Sequence, residues 1–132
     1  MDLSKEFGTD SNKEKDGIWV NLDEDAALLI ARTGNPDYRE ALRKAMEPFK
    51  ISVQNNTLPN ATAEKILIDV MAKTILLDWK GIIDKGKELK YSEKNAVKLL
   101  TKLRDFRDFV SDSAGDMASY KAEAAAKEAE NL

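Results

Sequence analysis

Ile66-Leu67-Ile68-Asp69-Val70-Met71-Ala72-Lys73-Thr74-Ile75-Leu76-Leu77-Asp78-Trp79 is the stretch whose reading decides the fold. Wound as a helix, its apolar positions cover most of the circumference. Only Lys65, Asp69, Ala72 and Lys73 form a narrow wet strip, with Asp69 and Lys73 one turn apart. A helix apolar nearly all round is a buried one. With Asn60 or Thr62 as its cap, the segment predicts a central helix running to about Trp79, against which the other elements pack. Trp79, at its end, reads as buried and structural.

Upstream, Asn35 can cap and Pro36 suits a first helical position, where a missing N–H costs nothing. Tyr38, Ala41, Leu42, Ala45, Met46 and Phe49 then recur at helical spacing, a core stripe that Pro48 stops or kinks. Before Gly34, Ile18–Asn21 and Leu28–Arg32 predict a β-hairpin around the acidic turn Leu22–Asp25, although 26–29 could equally open a short helix. Residues 1–16 carry only Leu3 and Phe7 as bulky apolar groups, and read as a flexible leader. The leader has neither a signal-peptide pattern nor an anchor.

Downstream, Gly81 ends the central helix. Ile82-Ile83-Asp84 and Leu89-Lys90-Tyr91, around the turn Lys85-Gly86-Lys87-Glu88, predict a second small hairpin. Ser92 caps a third helix with Ala96, Leu99, Leu100 and Leu103 on one face. After a turn near Arg104-Asp105, a last helix carries Phe106, Phe109, Val110, Met117 and Tyr120, interrupted by Gly115. The alanine-rich end, 121–132, has high helix propensity and no apolar anchor. The expectation is an α+β, mainly α-helical fold. About four helices surround a central one, with one or two small β-hairpins, in a single globular domain over 17–120.

Composition narrows function. The 132 residues include no cysteine and no histidine, which removes thiolate chemistry, the usual general base and the commonest metal ligand. No metal or cofactor is expected, and an enzyme is the weaker reading. No apolar run reaches the roughly 18–20 residues a bilayer demands. Asp23-Glu24-Asp25 lacks the glycine and spacing of a calcium loop and reads as a solvated turn. Asp78, Asp84 and Glu88 could converge near the second hairpin, without the partners catalysis needs.

Charge is patterned as well as plentiful. Residues 1–79 sum to −4, residues 80–107 to +5 and residues 108–132 to −4. Within the basic band, Lys94, Lys98 and Lys102 repeat every four residues along one helix face. Phosphate contact is one reading of that face. The acidic whole and the absence of interleaved aromatics disfavour nucleic acid, leaving a solvated face.

Several stretches resemble a known family. Gly17–Val20, Ile30–Arg32, Gly34-Asn35-Pro36, Tyr38–Leu42, Leu76–Ile82, Tyr91–Ala96 and Asp105–Val110 are similar, in order and spacing, to tail assembly chaperones of long-tailed, non-contractile phages. One departure is Arg104, where relatives often carry proline. The resemblance implies a non-enzymatic chaperone of tail morphogenesis in the host bacterial cytoplasm, absent from the mature virion. Its implied partners are the phage tape measure protein, which it keeps soluble, and the tail tube protein, with homo-oligomers also possible and no membrane. In many members a frameshift adds a C-terminal domain. Phe109, Met117 and Tyr120 then become candidate partner contacts, with the Lys94, Lys98 and Lys102 face next in line; equally, Phe106, Phe109, Met117 and Tyr120 could simply close the core. The competing classes are a DNA-binding regulator and a head–tail structural protein of a phage or prophage.

Overall fold

A computed structural model describes residues 1–116, 120 and 121. The chain folds as α1 (Leu3–Phe7), α2 (Ser11–Asp16), β1 (Ile18–Asn21), β2 (Ala27–Ile30), α3 (Pro36–Met46), α4 (Lys50–Gln54), α5 (Asn60–Thr74), β3 (Leu76–Lys80), β4 (Ile83–Asp84), β5 (Lys87–Glu88), α6 (Glu93–Lys102) and α7 (Arg104–Ala114). The fold is α+β and mainly helical, with one three-stranded and one two-stranded antiparallel sheet among the described residues.

The deciding stretch splits in two. Its first part is helix α5, but the helix stops at Thr74, and 76–80 become strand β3 instead of continuing the helix to Trp79. Ile75, at φ −116° and ψ −61°, is the joint. The run is apolar in both periods, so pattern alone could not divide it. The neighbour decides: β2 lies in the middle of the β1–β2–β3 sheet and pairs Leu28 with Trp79 and Leu29 with Asp78. Ala31 N–H also donates to Ile75 C=O at 2.8 Å. The wet strip changes accordingly. Ala72 is buried, while Leu67 is 41% exposed.

Trp79 is buried, as expected, but from a strand. Its indole N–H donates to the Leu89 carbonyl at 2.7 Å, and its ring stands edge-on to Tyr91 at 5.1 Å. Tyr91 O–H in turn donates to Leu76 C=O at 2.8 Å, which ties the segment after the second hairpin to the start of β3. That hairpin is tighter than expected: its turn is only Lys85 (φ 53°) and Gly86 (φ 81°), the paired left-handed residues of a type I′ turn, so Lys87–Glu88, not 89–91, form its second strand.

The core gathers one face of each layer: Leu28 and Ile30 from β2, Ile68, Met71 and Ile75 around α5, Leu76 and Trp79 from β3, Leu99 and Leu100 from α6, and Val110 from α7. Each fully buried Leu or Ile contributes about 1.5–3 kcal/mol. Asn35 locks three of these elements together. Its Oδ1 accepts from Tyr38 N–H at 2.9 Å, capping α3, while its Nδ2 donates to Arg32 C=O at 2.8 Å and Thr74 C=O at 3.2 Å. The expected cap is therefore also the bracket between β2 and the end of α5.

Three further expectations change. Residues 1–16, read as a leader, carry two short helices capped by Asp2 and Asp10. They are attached by the Arg32–Glu14 ion pair at 2.8 Å and by Asp10 N–H donating to Tyr120 C=O at 2.9 Å. Hydrogen bonds from Thr9 and Arg32 hold the Glu14 carboxyl below its usual range. The Tyr38–Phe49 stripe is only half-buried, and α3 ends at Met46 because Pro48 sits in a 3-10 turn over Glu47–Phe49. Finally, α7 ends at Ala114 with Gly115 as its cap, so Gly115 terminates that helix rather than bending it. Despite Arg104 standing where proline is usual, α6 and α7 are sharply divided at the single residue Leu103 (φ −111°, ψ 90°).

Candidate interaction surfaces

The candidate contacts are divided between the surface and the core. Phe109, on α7, is 38% exposed. Lys94, Lys98 and Lys102 are exposed on α6, which Ser92 caps through Asn95 N–H at 3.0 Å. Structure thus places Phe109 and the lysines on the same α6–α7 pair. Tyr120 is elsewhere and fully buried, its O–H donating to Ile30 C=O at 2.9 Å. Burial, and then Asp116, push its phenol up to about 12. It therefore closes the core over β2 and presents no surface. Met117 and the segment 122–132 lie outside the described residues.

Arg107 fixes α7 in place. Its guanidinium pairs with Glu64 of α5 at 2.8 Å and donates to Leu100 C=O of α6 at 3.3 Å. This positions the outer faces of α6 and α7 as one unit. The Asp23 carboxylate accepts from Asp25 and Ala26 N–H, both at 2.8 Å, so the acidic triplet organises the β1–β2 turn. Among the described residues no group of three or more acidic side chains is arranged to hold a metal ion. No helix among them is long and apolar enough to cross a membrane.

A surface that sequence reading missed is the arm from Pro36 to Gln54. None of its three helical pieces contains a buried residue. Ile51 is 72% exposed and Val53 44%. Beside them Arg43, Met46, Glu47, Lys50, Val53 and Gln54 line a hollow of about 250 Å³. The signal was present in Phe49-Lys50-Ile51-Ser52-Val53, apolar side chains just beyond a helix-stopping proline. A wider groove of about 490 Å³ runs between α3 and α5, edged by Asp37, Glu40, Lys44, Asp69 and Lys73. Its charges are mixed in sign, which suits a charged amphipathic chain better than a small anion or cation.

No curated protein and no solved structure matches the chain. The model of the YdaY prophage protein family matches residues 33–131, three quarters of the sequence. That span starts just past β2 and takes in the arm, the central helix α5, β3, the second hairpin and the α6–α7 pair. With this coverage, the chain belongs to the YdaY prophage protein family.

Proposed function

We propose that this prophage-family protein is a non-enzymatic tail assembly chaperone that binds and solubilises the tape measure protein and helps recruit the tail tube protein in the host cytoplasm. The observation that carries the reading is the arm: an amphipathic helical segment with no buried residue, ending in exposed Ile51 and Val53. A long helical client exposes an apolar stripe that needs temporary cover. An apolar surface ringed by charge provides that cover without aggregating itself. The resemblance to tail assembly chaperones supports the same reading. Its stretches fall on the joints of the fold: Asn35, β3 through Gly81, Tyr91-Ser92 and the start of α7.

Co-expression with the tape measure protein of the same prophage tests it. The wild-type chain should keep that client soluble and co-purify with it. Ile51→Asp combined with Val53→Asp should abolish capture while leaving stability within about 0.5 kcal/mol, as exposed sites allow. A client equally soluble alone, or capture indifferent to both substitutions, would refute the proposal. The lysine row on α6 is what a DNA-binding regulator would offer; salt-dependent retention on DNA would support that alternative. Recovery of the chain in purified particles would support a head–tail structural protein.

A further inference from the structure

We infer that the α6–α7 pair is a self-complementary surface through which two copies of this chain associate about a two-fold axis. Lys94, Lys98 and Lys102 lie on α6 and Asp105, Asp108 and Asp112 on α7, and all six are exposed. Among the described residues none of the six enters an ion pair within the chain. The two rows are matched in spacing about the turn at Leu103. Lys98 and Asp108 each stand five residues from it, and Lys94 and Asp112 nine. Lys102 stands one residue before it and Asp105 two residues after.

Helix-end electrostatics account for only part of this pattern. Lys102 in the last turn of α6 and Asp105 in the first turn of α7 complement the helix dipoles. Lys94 stands in the first turn of α6 and Asp112 in the last turn of α7, each at the end that disfavours its charge. Like charges one turn apart also repel within each row. A second copy relieves both. The two helices run in opposite directions along α5, α6 from Lys94 beside Lys73 to Thr101 beside Glu64, and α7 from Arg107 on Glu64 to Ser111 beside Met71. Rotation about an axis parallel to this helical hairpin lays α6 on the partner's α7, and α7 on the partner's α6. Each lysine then meets an aspartate at the same height: Lys94 with Asp112, Lys98 with Asp108 and Lys102 with Asp105. Such an isologous contact is satisfied twice. Leu103, 41% exposed, and Phe109, 38% exposed, supply apolar groups on the same hairpin.

The size of the surface fixes the expected strength. Two helices of this length packed side by side present roughly 300–400 Å² per copy. The total of about 600–800 Å² is below the standard interface, so the dimer is weak, concentration-dependent and salt-sensitive. The arm from Pro36 to Gln54 takes no part, so the inference stands whether or not that arm holds a client.

Sedimentation of the full chain at low salt, up to about 0.5 mM where a weak contact of this size populates, tests it. The wild type should move toward twice its 14.8 kDa mass, and return to monomer at high salt. Replacing Lys94, Lys98 and Lys102 by Glu, or Asp105, Asp108 and Asp112 by Lys, should each give a monomer. An equimolar mixture of the two variants should dimerise again, as should the chain with all six exchanged. Circular dichroism checks that each variant is folded; where a triple variant is not, Lys98→Glu and Asp108→Lys and their mixture make the same comparison. A monomeric wild type, a dimer that survives in either single-row variant, or a mixture that fails to associate overturns the inference.

Discussion

Substituting Gly81 by alanine probes how the first hairpin is held against the sheet. Gly81 follows β3 with φ at +71°, in the left-handed region. A Cβ there would lie 2.7 Å from the Asp25 carbonyl carbon and 3.0 Å from Ala26 Cα, with the Asp25 carbonyl oxygen closer still. These are backbone atoms of a turn that the Asp23 carboxylate already braces, so they cannot swing aside as a side-chain tip would. Two other glycines calibrate the conformational part. Gly34 (φ 85°) and Gly86 (φ 81°) are left-handed too, but nothing lies within 4 Å of a Cβ on either. Gly34→Ala and Gly86→Ala should therefore cost only the left-handed strain of about 1–2 kcal/mol. Gly81→Ala carries the same strain and must also push the 22–26 turn off the sheet. Its cost should be about 3–5 kcal/mol, in the range where overpacking adds to strain. Urea unfolding followed by circular dichroism measures all three on one scale. If Gly81→Ala falls within 1 kcal/mol of Gly86→Ala, by the same strain argument, the close packing of this turn is refuted.

Asn35→Ala should cost about 2–4 kcal/mol in the same assay, because it removes a cap and takes the side-chain donor from the buried Thr74 carbonyl, while Arg32 C=O keeps only the backbone N–H of residue 35. Asn35→Asp keeps the cap acceptor but loses both donated bonds, and should be no milder; near-wild-type stability would show that Asn35 serves only α3. Tyr120 gives a pH signature. Its folded pKa, raised to about 12 from 10.0, makes its contribution complete below pH 10 and lost as pH climbs toward 12. Tyr120→Phe should thus lower stability at neutral pH by about 1–3 kcal/mol for a buried hydrogen bond. It should also flatten the alkaline decline relative to wild type; identical slopes above pH 10 would place Tyr120 in solvent.

Local structure was legible wherever short-range chemistry acts alone. Asn35-Pro36 and Ser92 mark helix starts, the stretch around Gly86 marks a hairpin, and the four-residue lysine period marks the outer face of α6. Those signals depend on dihedral preference and on side chains reaching a few residues along the chain. The phage or prophage origin and the α+β class were also within reach of one-dimensional reading. Three things were not. Residues 76–80 fit a helix as well as a strand until β2 supplied the partner edge. Tyr120 belonged to an apolar stripe that could equally meet a partner or close the core, and its hydroxyl, finding Ile30 ninety residues away, decides for the core. The arm from Pro36 to Gln54 carries a core-like stripe that α5 covers only in part, along α3, and its far end leaves Ile51 and Val53 in water. Periodicity shows that a face is apolar; which face finds a partner depends on contacts between segments far apart in the chain, and only the folded arrangement sets those.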